Sequence, residues 1–242
     1  MGLDAKQVKR WANGFNPDGD GLSWSEIAKQ AGMPLRTLTV QRSKNNIDAN
    51  LVFEIARYNH RDPVGELSQF AGFASLSGDY PAPSTRELLT QVDTNQVFSE
   101  IAYRLGEVQR KAPQLSRWGS MNRGLVAWLG LAGRDYGVTI SKVLNISDAG
   151  ASRKVNLPQF KVEQIVPVCD ALGLNPKFAL LVLGYLTDEE TGVSSTARED
   201  ALVSATGDEL ADHLSHVLRH IRRQLQIAQQ KTEDDEIARR LT

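Results

Sequence analysis

The sequence has one cysteine, Cys169, so no disulfide can close within the chain and no cysteine-rich zinc site can assemble. Cys169 lies in an apolar helical pattern with Ile165, Val168 and Leu172, which predicts a small buried core residue. No apolar run approaches membrane-spanning length, and the first twenty residues lack a signal-peptide hydrophobic stretch. A cytoplasmic protein with no membrane partner is expected. Neither standard glycine-rich phosphate loop occurs, and Asp and Glu are scattered over helix starts and exposed positions, so no enzyme and no cofactor is expected. An excess of charge of one sign is also missing. Lys and Arg number 28 against 29 Asp and Glu, which argues against a nonspecific polycation and leaves a local basic patch open. Residues 1–80 carry nine basic and nine acidic side chains, residues 81–187 twelve and eight, and residues 188–242 seven and twelve. The tail is therefore acidic, with one basic cluster at Arg219, Arg222 and Arg223.

What the chain has in quantity is apolar residues at three- and four-residue spacing, without a run of strand alternation, which predicts an all-helical protein. One such pattern occurs twice. Ile27, Ile47, Val52, Ile55, Pro63, Leu67 and Phe70 are followed 113 residues later by Ile140, Phe160, Ile165, Val168, Pro176, Leu180 and Leu183. Every apolar position lands on an apolar one and the two prolines coincide, as expected of a duplicated unit.

Helices are predicted over about 4–15, over 24–31 after Ser23 in a capping box with Glu26, and from Pro34 to Ser43. Two more follow, one opening at Ile47 and Asp48 and one at Asp62 and Pro63. Residues 72–90, rich in Gly, Ser and Pro, read as a linker, and a longer helix is expected from Asn95 to Lys111 with Val97, Ile101, Leu105 and Val108 in register. The second repeat supplies five more helices up to about residue 187. A polar segment then runs to Ser204, and a final amphipathic helix is capped by Thr206, with Leu210, Leu214, Val217, Ile221 and Leu225 on one stripe. That helix, over 206–230, has two open uses, packing on the body or pairing in a homodimer. The expected organisation is 1–74, a connecting region 75–121, a second module 122–187, and a tail 188–242.

Residues 24–46 have the composition of a helix, a glycine turn and a second helix whose N-terminal residues face outward. Ile27, Ala28, Ala31 and Leu38 would form the contact between the two helices, and Gly32 the turn. Over residues 4–73 the chain resembles the Cro and lambda-repressor-like helix-turn-helix family, through Ala28 and Gly32, the helix-four segment 51–59 and the closing segment 62–67. Residues 122–187 resemble it less fully. Trp24 stands where that family usually places a glutamine. The resemblance implies double-stranded DNA as partner and a repressor of the temperate-phage immunity type, acting by occupying an operator.

Carried over, the base-edge positions fall on Leu35, Arg36, Thr39 and Val40. A guanidinium can bond guanine O6 and N7 together, which makes Arg36 the leading reader. Trp24, Ser25, Pro34, Thr37, Arg42, Ser43 and Lys44 complete the expected DNA contacts of the first repeat, chiefly to phosphate. Ser147, Ser152, Arg153 and Lys154 are the expected contacts of the second, where Asp148 and Gly150 weaken the case. The competing class is a protein-interaction or assembly module that kept the scaffold without DNA binding. Two sharper readings are set aside. Asn16, Asp18, Asp20 and Gly21 begin like a calcium loop, but its twelfth position is Ile27. His213, His216 and His220 share a helix face without a cysteine nearby, so no metal is expected.

Overall fold

The computed structural model describes residues 2–16, 21–109, 113, 115, 118, 122–133, 135–157, 159–219 and 222. Among them the chain is all-helical, with one isolated antiparallel bridge between Leu3 and Ile47. The first helices are α1 (Ala5–Asn13), α2 (Trp24–Gln30), α3 (Leu35–Ser43), α4 (Asn50–Tyr58) and α5 (Pro63–Ser68). After a short 3-10 turn at Ala74–Ser77 come α6 (Thr85–Leu89), α7 (Thr94–Arg104), α8 (Asn122–Leu129), α9 (Tyr136–Leu144) and α10 (Asp148–Asn156). Then follow α11 (Val162–Leu172), α12 (Pro176–Val182), α13 (Asp188–Thr191), α14 (Ala197–Ser204) and α15, residues 207–219.

Two compact units result. One comprises Met1–Ala82 with Arg117–Ser195, the other Pro83–Ser116 with Thr196–Thr242. Both repeats lie in the first unit, and their helices correspond closely. α3 at 35–43 and α10 at 148–156 are offset by 113 at both ends, and α5 and α12 begin at Pro63 and Pro176. The preceding residues, Asp62 and Asn175, each cap by accepting two backbone N–H groups, Asp62 with one on each carboxylate oxygen and Asn175 with both on Oδ1. The turn before α3 has Gly32 at φ 60° and the turn before α10 has Asn145 at φ 51°, so the same left-handed corner is built once by glycine and once by asparagine. Ile27, Leu38, Val52, Phe53 and Ile55 are fully buried, as are Ile140, Ile165, Val166 and Val168, and Cys169 is buried among the latter, where loss of solvation raises its thiol pKa. Correspondence continues past the expected limits, since the 3-10 turn at Ala74–Ser77 has its counterpart in α13.

Polar contacts join the repeats. Lys161 Nζ lies 3.0 Å from Asp48 Oδ2, and Ser75 Oγ donates to Asp170 Oδ2 at 3.0 Å. Arg57 donates to both Glu190 oxygens, at 2.7 and 2.8 Å, and to the Tyr185 carbonyl at 2.6 Å. The bond to Glu190 raises the Arg57 pKa further above its ordinary value, and Asp48 raises that of Lys161.

The segments outside the two repeats correct three expectations. Residues 72–90 are not an unstructured linker. Ser84 and Glu87 form a capping box that starts α6, and Leu76, Leu88 and Leu89 are buried. The helix expected over 95–111 stops at Arg104, because Gly106 turns left-handed at φ 78° and closes the helix end; Leu105 and Val108 stand 70% and 50% exposed instead of continuing a buried stripe. The polar segment 187–204 holds α13, capped by Thr187, and α14, whose Ala201 and Leu202 are buried.

Arg104 draws α14 onto α7 by donating to the carbonyls of Ala205 and Val203 at 2.6 and 2.9 Å. The core of this unit is Leu89, Val92, Val97, Leu202, Ala205 and Leu210, with Leu214 packed against it. Thr206 opens α15, accepting from Glu209 N at 3.2 Å. The described part of the last helix thus turns its stripe into its own unit's core. Ile221, Leu225, His220, Arg223 and the rest of the expected 206–230 helix beyond residue 222 lie outside the described residues.

Candidate nucleic-acid interface

α2 and α3 meet as their apolar residues dictate. Ile27, Ala28, Ala31 and Leu38 are all buried, and Gly32 and Met33 donate back to the Lys29 and Ala28 carbonyls at 3.1 and 3.0 Å, which ends α2 and swings the chain into α3. Leu38 is the one buried residue of α3. The rest of the helix faces solvent: Arg36, Thr37, Thr39, Arg42, Ser43 and Lys44 are exposed, and Leu35 and Val40 are each 47% exposed. Pro34 begins the helix without a side-chain cap. Thr39 Oγ1 donates to the Leu35 carbonyl at 2.8 Å and Ser43 Oγ to that of Val40 at 2.9 Å, so both hydroxyls keep lone pairs outward and commit their protons to the backbone.

Beside this face runs an open groove lined by Ala5, Lys6, Lys9, Arg10, Asn13, Trp24, Arg42 and Asn45. Four of the lining side chains are cationic and none is a carboxylate. α1 makes the groove because Lys6, Lys9, Arg10 and Asn13 fall at helical spacing on one side, while Val8 and Ala12 are buried on the other. Its far wall is Trp24, whose ring has the Lys9 ammonium 5.8 Å and the Arg42 guanidinium 5.5 Å from its centroid. Asn45 holds the two sides together from a left-handed backbone at φ 47°: its Oδ1 accepts from Ala5 N at 2.8 Å and its Nδ2 donates to Asp4 Oδ2 at 2.8 Å. That bond, with those from the Gln7 and Lys6 backbone, keeps the Asp4 carboxyl below its ordinary pKa.

Of the expected contacts in the first repeat, the structure brings Trp24 and Arg42 into the groove and sets Pro34, Leu35, Arg36, Thr37, Thr39, Val40, Ser43 and Lys44 along α3. Ser25, exposed near the α2 start, pairs with Ser23 at 2.8 Å between hydroxyls. Sequence reasoning missed Lys6, Lys9, Arg10, Asn13 and Asn45. The spacing of the first four was a readable signal; the role of Asn45 was not, since it depends on a contact 40 residues away.

The second repeat offers a different surface. Ser147 caps α10 by accepting from Gly150 N at 3.1 Å, and Ser152 and Arg153 are exposed. Lys154 is held inward, donating to the Gln159 carbonyl at 3.2 Å and to Gln164 Oε1 at 2.9 Å beside the Phe160 ring. The position equivalent to Trp24 is Gly137, and that of Arg42 is the buried Val155.

Comparison with known proteins adds no name to these surfaces. No protein-family model, curated protein or solved structure matches the chain.

Elsewhere, His213 is buried and loses proton affinity chiefly for that reason, while His216 lies 3.7 Å from Asp212. No grouping of three or more metal-binding side chains occurs among the described residues, and no described helix is long and apolar enough to cross a membrane. Asp18 and Asp20 of the calcium-like loop lie outside the described residues.

Proposed function

We propose that the protein is a sequence-specific double-stranded DNA-binding regulator that represses by occupying its operator. The observation that carries this reading is the exposed face of α3 alongside a groove with four cations and no carboxylate in its lining. The chemistry divides between them. In the major groove, Arg36 would read guanine through paired bonds to O6 and N7, and Leu35 and Val40 would contact thymine methyl groups. Lys6, Lys9, Arg10 and Arg42 would neutralise phosphates of the adjoining strand, fixing the register of α3 without selecting sequence. Trp24 has both Lys9 and Arg42 over its ring, an attraction that would favour those cations at the groove.

The exposed apolar residues Val138, Val143 and Leu157 around α10, together with the inward hold on Lys154, favour a second reading for that repeat, a surface for another protein. Salt titration of duplex binding tests the main reading. Each phosphate contact contributes about 0.9 to the slope of log affinity against log salt, so Lys9→Ala is expected to lower affinity for all sequences alike and flatten the slope by about one contact. Binding of random duplex that is absent, or indifferent to salt, refutes it.

A further inference from the structure

Lys161 stands 113 residues after Asp48, which is the offset of the repeat, so this ion pair joins a residue to its own counterpart. Two copies of one unit bring equivalent residues together only close to the axis that relates them. One further pair of contacts follows the same exchange to within two residues. Swapping the repeats turns the Arg57–Glu190 contact into one between Asp170 and position 77, and Asp170 is in fact held by Ser75, two residues away. In a two-fold interface residue i touches j while the counterpart of j touches the counterpart of i; Asp48–Lys161 meets that condition and Ser75–Asp170 comes within two residues of it.

We infer that the repeats form a two-fold pair within one chain, so that a single molecule engages one duplex with α3 and α10 together, at a separation set by the protein. This rests on the DNA-binding reading proposed above. A two-fold rotation preserves direction along its axis, so whichever end of the pair the outer face of α3 looks toward, that of α10 looks toward the same end. A symmetric dimer places two identical helices this way. Here the two differ, with Arg36 and Thr39 on one and Ser152 and Arg153 on the other. The site is accordingly two unlike segments at fixed spacing, occupied without a second copy of the chain.

The test starts from full-length protein and duplexes selected from a random pool. Native mass spectrometry should show one chain per duplex, with two protected segments. Inserting five base pairs between them, about half a helical turn, should lower affinity as far as scrambling the second segment does. Arg57→Ala and the surface variant Lys161→Asp loosen the pair without touching either reading face. Each should narrow the advantage of the two-segment duplex over the one-segment duplex by about tenfold, within the range that linkage of two contacts confers, and leave one-segment binding unchanged. Two chains per duplex, indifference to the insertion, or an undiminished advantage in both variants overturns the inference. Steep salt-dependent binding with one protected segment overturns it alone, whereas a wild-type protein that retains no duplex at any salt overturns the DNA reading as well.

Discussion

Where the first repeat sets Lys9 and Arg42 over the Trp24 ring, the second has Gly137 and a buried Val155, and where α3 begins with no side-chain cap, α10 is capped by Ser147. Beneath these differences the two backbones follow one course, with equivalent helices, equivalent proline starts and a left-handed residue at the same corner. The contrast separates two kinds of constraint. Inward positions are held by packing, which accepts few substitutions of shape, so Ile27 and Ile140 or Val52 and Ile165 remain alike. Outward positions meet only solvent or a partner, and they diverge freely. One scaffold therefore carries a cationic groove in one repeat and, at the positions of Trp24 and Arg42, Gly137 and a buried Val155 in the other.

The largest expected effect breaks the comparison at a place where the two cores differ in side-chain size. Leu38 fills the space that Ala151 leaves small in the second repeat, and both are buried. Leu38→Ala should cost about 2–5 kcal/mol of unfolding free energy in a denaturant titration, and Ala151→Leu about 1–3 kcal/mol through overpacking. A near-zero cost for both would mean that the two cores are not built alike. Next in size, Arg36→Ala should cost about 1–3 kcal/mol of operator affinity and relax base preference at one position, read by binding to a panel of single-base variants. Unchanged preference would take Arg36 out of the reading set.

The shared corner gives a smaller effect. A Cβ at Gly32 meets no atom within 4 Å, so the cost of Gly32→Ala is that of the left-handed backbone alone, about 1–2 kcal/mol, while Gly32→Asn, which copies Asn145, should cost less by thermal unfolding. The smallest effect distinguishes the two sides of the repeat interface. Burial opposes ionisation of Glu190, but the bonds from Arg57 and Thr187 outweigh it and lower its pKa, so the stabilisation is present above the ordinary value of 4.5 and is lost as pH falls through the lower folded value. Glu190→Gln should flatten the acid limb of stability by no more than about 1 kcal/mol, since Arg57 is partly exposed. An unaltered acid limb would show that Ser75–Asp170 and the apolar packing hold the pair without it.

Much of the fold was legible because its signals are local. Ser23 with Glu26, Asp62 before Pro63 and Gly32 after α2 act within one helical turn, and the inward residues Ile27, Ala28, Ala31 and Leu38 follow from the 3.6-residue period. The exposed face of α3 follows from the same period. What escaped depends on distant partners. In sequence, residues 72–90 read as a linker and the stripe of the last helix has two open uses, yet Leu89, Val97, Leu202 and Leu210 make one core from segments about a hundred residues apart. The groove needs Asn45 to clasp α1, and three of its four cations lie on that helix, whose polar side does not by itself announce a partner.

By itself, then, the amino-acid order determined the helices of the two repeats, caps such as Ser23 and Asp62, their apolar pattern and the face of α3 left outward, because each of these is set by residues within a few positions of one another. Only the tertiary structure decided that both repeats share one unit, that Lys161 meets Asp48 and Arg57 meets Glu190, and that α1 turns its cations toward Trp24. Those outcomes depend on which buried surfaces find each other across long stretches of chain, and apolar burial is non-directional, so periodicity states that a face will be covered without stating by what.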